Sequence, residues 1–165
     1  MNPRPLSPLR PSTLRRLENA ARAAARQSYS PYSKFCVGAA VLTESGKIYA
    51  GANVENASYG LCNCAERSAI FAAAGAGARR IRAVVVHTPT RVPTAPCGAC
   101  RQVINEFGPD ALVISMGVEA ARVEPQRIAL TWDRIDLDSL ARLKRVIELN
   151  AAAPALLNRE LAGLG

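Results

Sequence analysis

Histidine is almost missing from this chain: one residue, His87, in 165. A metal site built on two or three imidazoles is therefore excluded within one chain, and any Ser-His-Asp or Cys-His centre has a single residue to draw on. Aromatic residues make up only 5%, which argues against a platform on which the bases of a single strand would stack. No run of about 18 apolar residues occurs, so no membrane-spanning helix is expected. The first residues carry Pro3, Pro5, Pro8 and Pro11 and lack the apolar stretch of a secretory leader. A soluble, cytoplasmic protein is the expectation. Five cysteines is an odd number, which disfavours a complete disulfide framework. In a reducing compartment, clustered thiols more often bind metal.

What the chain does have is alanine and arginine. Thirty residues are alanine, while Val, Ile, Leu and Phe total 39, enough for one core. The net charge is +8, yet residues 1–34 alone carry +6 and the rest is nearly balanced. The basic character is thus an N-terminal property, and a solvated arm and helix face account for it. Residues 1–11 read as a disordered arm, with Ser12 capping a helix over 13–27. Strands are expected at 35–42 and 47–54, joined by a turn at Glu44-Ser45-Gly46. A helix follows over 64–75, a doubly buried strand at 81–86, a helix at 98–107 and a second buried strand at 111–115. A fifth strand is expected at 126–132, and 136–150 has helical periodicity. A hairpin followed by strand–helix alternation implies a mixed sheet with helices on its faces.

Two stretches carry chemistry: Cys64-Ala65-Glu66 and Pro96-Cys97-Gly98-Ala99-Cys100. Both fall at expected helix starts, where the positive end of the helix favours thiolates. A C-x-x-C turn brings two sulfurs to one metal, and a cysteine from a second helix start supplies a third. Three protein ligands leave a fourth position open, the mark of a catalytic zinc site. Glu66, two residues after Cys64, sits close to such a metal without ligating it and suits proton transfer. A ligand followed by x-E and a later P-C-x-x-C is the pattern of zinc deaminases. The competing reading is a closed, non-catalytic site of Cys62, Cys64, Cys97 and Cys100, which leaves Glu66 and Pro96 unexplained. Cys36, within a strand pattern, reads as a core residue.

The segments YSPYSKFCVGAAV (29–41), GANVENASYGLCNCAERSAIF (51–71) and APCGACRQVINEF (95–107) resemble the small, homo-oligomeric, zinc-dependent cytidine deaminases. The resemblance covers roughly residues 12–116. It implies a three-layer α-β-α fold with a mixed five-stranded sheet, the catalytic domain spanning 12–135 and a helical C-terminal extension, 136–165, packed on it. It implies one Zn²⁺ per subunit held by Cys64, Cys97 and Cys100, with Glu66 shuttling protons. Asn53 and Glu55 resemble the pair that binds ribose hydroxyls, though both also suit capping of the loop after a strand. Phe35 resembles the aromatic residue beside the pyrimidine, though it also suits the core. Ala65 would offer its backbone N–H to the base. Tyr59 resembles a residue reaching a neighbouring subunit's sugar site, though it also suits a plain surface. Arg67 would donate to thiolate sulfur and offset the negative charge of three thiolates on Zn²⁺, with Arg101 a weaker second choice. The implied reaction is hydrolytic deamination of cytidine or 2′-deoxycytidine in pyrimidine salvage, by a homotetramer or, less often, a dimer with composite sites.

The likeness ends near residue 116. Many members of that family close the neighbouring site with a terminal aromatic residue, whereas no aromatic residue follows Trp132 here. A deaminase of a cytosine-containing antibiotic, similar to blasticidin-S deaminase, is the nearest alternative, and Asn53 with Glu55 favours an ordinary nucleoside over it. A polynucleotide substrate is disfavoured by the near-neutral, aromatic-poor body.

Overall fold

A computed structural model of the chain describes residues 9–118. The first helix, α1 (Pro11–Ala25), starts at the proline. Proline has φ already set for a helix and no N–H to leave unpaired, so it suits the first helical position. Arg10 therefore takes the cap position, with no side-chain cap bond, and its carbonyl accepts the N–H groups of Thr13 and Leu14 at 2.9 and 3.0 Å. The expected cap, Ser12, lies inside the first turn. Leu9 packs against the core that Leu17 and Ala21 enter, so the fold begins within the stretch expected to be an arm; residues 1–8 lie outside the described residues.

Strands β1 (Gly38–Thr43) and β2 (Ile48–Ala52) form the expected hairpin. Its turn uses Gly46 at φ +83°, a conformation glycine adopts without a Cβ clash. β1 begins three residues later than its apolar pattern suggests. Lys34 has φ +58°, which breaks the extended run, and the Asn53 side chain, not a neighbouring strand, bonds the Phe35 carbonyl and the Val37 N–H. A short 3₁₀ turn, Tyr59–Leu61, follows the hairpin; no sequence pattern marks it. Then come α2 (Ala65–Gly75), β3 (Ile81–His87), α3 (Gly98–Phe107) and β4 (Leu112–Met116). None of the described helices is long and apolar enough to cross a membrane.

The sheet order is β2-β1-β3-β4. β1 runs antiparallel to both neighbours, while β3 and β4 are parallel and so need the crossover that α3 provides. Alternate residues feed opposite faces. Ala40, Leu42, Ala83 and Val85 meet Leu17 and Ala21 of α1. Ala39, Val41, Val84 and Val86 meet Ala65, Ala69 and Ile70 of α2 and Ile104 of α3. The fold is the expected three-layer α-β-α sandwich with a mixed sheet, but among the described residues that sheet has four strands. The expected fifth strand at 126–132 and the helical extension at 136–165 lie outside the described residues.

Small residues let the layers approach closely. A Cβ on Gly38 would lie 2.1 Å from the Ala21 carbonyl oxygen, and one on Gly51 would lie 2.5 Å from the Ala69 nitrogen. The helices therefore rest almost directly on sheet backbone. The few large side chains that are fully buried, Leu17, Ile70, Val41 and Val84 among them, each stabilise the fold by about 1.5–3 kcal/mol. The close seat of α2 on β2 and its contact with α3 bring two helix starts together.

Candidate active site

The site is built on those helix starts. Cys64 is the cap residue of α2 and Cys97 the cap residue of α3, with Cys100 one turn into α3. The Sγ atoms of all three lie within 4.8 Å of one another, and those of Cys64 and Cys97 are 3.9 Å apart. Tetrahedral coordination at about 2.3 Å would hold sulfurs roughly 3.8 Å apart, so the three thiols fit a zinc ion with little movement. Cys100 is fully buried while Cys97 is exposed, which leaves one side of the cluster open, as a site with a free fourth position requires.

The thiols are electrostatically prepared. Cys64 is lowered to about 5, first by a hydrogen bond from the Cys100 thiol, then, against the cost of burial, by Arg67. Cys100 is pushed up because Cys64 holds its proton. Arg67 Nη2 donates to Cys64 Sγ at 3.7 Å and to the Cys62 carbonyl at 3.1 Å. Burial is the largest single influence and opposes its charge, yet the bonds and charges of Cys64 and Cys100 together outweigh it and its pKa is raised. Arg101 has a different role. Its Nε donates to the Pro96 carbonyl at 2.9 Å and braces the turn that carries Cys97.

Glu66 lies in the first turn of α2 and is 4% exposed. Burial raises its pKa, and the Cys64 charge adds to that effect. A carboxyl brought toward neutrality beside a thiol cluster is suited to both accepting and giving a proton. His87, at the end of β3, stands apart from the cluster.

The fourth cysteine takes no part. Cys62 Sγ accepts the Asn56 N–H at 3.3 Å and braces the loop, so the closed four-cysteine arrangement is not what forms among the described residues. Cys36 is not a core residue either. It is partly exposed, with its sulfur 3.3 Å from Ser30 Oγ, because β1 starts only after it.

Beside the thiols lies a cavity of about 440 Å³ whose lining includes Cys64, Asn53, Glu55 and Tyr59. Asn53 Oδ1 accepts from Ser28 Oγ at 2.6 Å and from the Val37 N–H at 2.8 Å, and its Nδ2 donates to the Phe35 carbonyl at 2.8 Å. Glu55 accepts the N–H groups of Tyr32 and Ser33 at 3.0 and 3.2 Å, and the Ser33 hydroxyl. The Ser33 bond is the main reason its carboxyl is held below the ordinary range. Phe35 is half-buried and joins the cavity through its backbone bonds to Asn53 and Ser33; Ala65 is fully buried at the start of α2. Tyr59 is 83% exposed at the rim. Spacing assigns no role to the serines that anchor this pocket, Ser28 and Ser33, although Ser33 lies within the segment 29–41 that carries the resemblance.

Residues 11–116 match the family described as the cytidine and deoxycytidylate deaminase zinc-binding region. A cytidine deaminase of Mycobacterium tuberculosis is 41% identical over 128 residues, spanning 77% of this chain and 92% of that protein. One from Sporosarcina psychrophila is 56% identical over 84 residues, which span 51% of this chain and 62% of the relative. The crystal structure of cytidine deaminase from Burkholderia pseudomallei superposes with a TM-score of 0.64 at 50% identity, covering 66% of this chain and 88% of that one. The thiol cluster, the buried glutamate and the layered fold are thus found within a matched region longer than half the sequence, and the chain belongs to the cytidine and deoxycytidylate deaminase family.

Proposed function

We propose that the chain catalyses the hydrolytic deamination of cytidine and 2′-deoxycytidine, consuming water and releasing uridine or 2′-deoxyuridine and ammonia. The observation that carries this reading is the convergence of three thiols, from two helix starts, beside a buried carboxyl. Cys64, Cys97 and Cys100 would hold one zinc ion per subunit. When bound, zinc lowers the pKa of a coordinated water, which supplies a nucleophile at neutral pH. Glu66 takes a proton from the attacking water and passes it to N3 of the base. It then takes the second proton from the hydroxyl at C4 and delivers it to the amino group, which leaves as ammonia. The Ala65 N–H orients the base and Phe35 packs near it. Asn53 and Glu55 bind the sugar. Arg67 keeps the Cys64 thiol deprotonated and tempers its charge.

Tyr59, with Leu61 at 70% exposure nearby, presents apolar surface at the rim of the cavity. We read this as the point where a second copy completes the site, in a homotetramer or a dimer acting in the cytoplasm in pyrimidine salvage. An ammonia and ultraviolet assay with zinc-loaded protein tests the reaction: both nucleosides should be turned over, with free cytosine a poor substrate. No ammonia from either nucleoside would overturn the assignment.

A further inference from the structure

We infer that Ser33 is a positioning residue for sugar recognition, acting through Glu55. The inference rests on the proposed reading of Glu55 as a sugar ligand. An ionised carboxylate has about four acceptor positions. Glu55 Oε2 takes the Tyr32 and Ser33 N–H groups, and Oε1 takes the Ser33 hydroxyl. One acceptor position is left, on Oε1. The same serine oxygen accepts the Phe35 N–H at 3.0 Å. Ser33 therefore ties the carboxylate meant for the sugar to the backbone of the residue meant for the base.

The backbone is bent to allow this. Lys34 sits in the left-handed region at φ +58°, with its N–H bonded to the Ser30 carbonyl at 3.0 Å. A lysine is seldom found there, and the bend turns the chain so that Ser33 Oγ meets the Phe35 N–H. Asn53 is similarly committed: both lone pairs of Oδ1 and one Nδ2 hydrogen are in use. Asn53 and Glu55 together have one donor and one acceptor free, which matches the needs of a single hydroxyl group. Ser33 thus determines which oxygen of Glu55 is free and holds it in place. The lowered pKa of Glu55, due first to Ser33, keeps that oxygen an acceptor further into the acid range.

The test compares cytidine with 2′,3′-dideoxycytidine, which lacks the 2′- and 3′-hydroxyls of the sugar, using the zinc-loaded full chain. Ser33→Ala should raise KM for cytidine about tenfold with kcat nearly unchanged, the loss expected of one hydrogen bond to a charged group. KM for the dideoxy compound should move far less. Ser33→Thr, which keeps the hydroxyl, should restore the preference for cytidine. In a Glu55→Ala background, Ser33→Ala should cause no further loss of that preference. An equal rise in KM for both substrates, or an unchanged KM for cytidine, would overturn the proposal. If Glu55→Ala itself leaves the preference intact, the sugar reading fails. If Glu55→Ala abolishes it and Ser33→Ala does not, only the role of Ser33 fails. Should Ser33→Ala not fold, Ser33→Cys puts a weaker donor in the same place and carries the same comparison.

Discussion

The thiol cluster and the adjoining pocket share Cys64, yet they are held by different means. At the cluster, helices do the positioning. Two helix starts, packed against one sheet, fix the sulfurs and Glu66 with few side-chain bonds. In the pocket, no helix or strand presents the key groups. Asn53 and Glu55 follow the end of β2, and what fixes them is a net of bonds to serines and to backbone groups between 28 and 37. Change at the first region should therefore act on chemistry and metal, and change at the second on substrate preference. On the proposed reading, changes at Asn53, Glu55 and the serines that hold them should alter substrate preference with little effect on kcat.

The largest effect should come from the cluster side. Glu66→Ala should lower kcat by at least about 10³-fold, the scale of lost acid–base catalysis, while zinc content by metal analysis stays near that of the wild type. Loss of zinc together with activity would overturn a proton-transfer role for Glu66 distinct from metal binding. Next, Arg67→Ala should cost about 10- to 100-fold in zinc affinity or activity, as removal of a group that supports a metal ligand does. The sign of its pH effect follows from Cys64. Without the arginine the thiol pKa rises, protons compete with zinc at higher pH, and the pH of half-release in a chelator titration should move upward.

A third variant asks whether the seat of α2 matters to both regions. Gly51→Val puts a side chain where a Cβ alone would lie 2.5 Å from backbone, and overpacking of this kind costs about 1–3 kcal/mol. Thermal unfolding should record it as a lowered Tm. The smallest effect belongs to the pocket. The folded pKa of Glu55 lies below its ordinary 4.5. Its bonds to Tyr32 and Ser33 are therefore complete above that value and are lost as pH falls through the folded pKa. Amide exchange at those two residues, corrected for its intrinsic pH dependence, should lose protection only on the acid side. Glu55→Gln should flatten that response.

The same contrast explains what can be read from the sequence. The spans of α2 and α3 match the expected ones to within a residue. Their limits are set by local chemistry: Cys64 and Cys97 at caps, Pro96 just before α3, Gly75 and Gly77 at the end of α2. The cluster is legible because ligand spacing and helix starts coincide. The start of β1 is not, since apolar residues 35–37 look like strand until Lys34 and the Asn53 amide are placed in space. Ser12 looks like a cap and is not one, because a serine and a proline compete for the same helix start, and the proline prevails. The pocket's support is illegible for a related reason: Ser33 meets Glu55 across 22 positions of chain, and nothing in either segment announces the other.

The contact between helices and sheet is lined by alanine and glycine: Ala21 and Ala25 by Gly38, Ala69 by Gly51, with Ala39, Ala40, Ala65 and Ala73 around them. Such a contact responds to mutation in one direction. Trimming has little to remove, since many of its side chains are already a single methyl, whereas almost any enlargement pushes backbone from backbone. Along this contact the fold is sensitive to added atoms and nearly indifferent to removed ones. A scan of this contact is best designed by adding atoms, and trimming is best kept for the few large buried side chains such as Leu17 and Ile70.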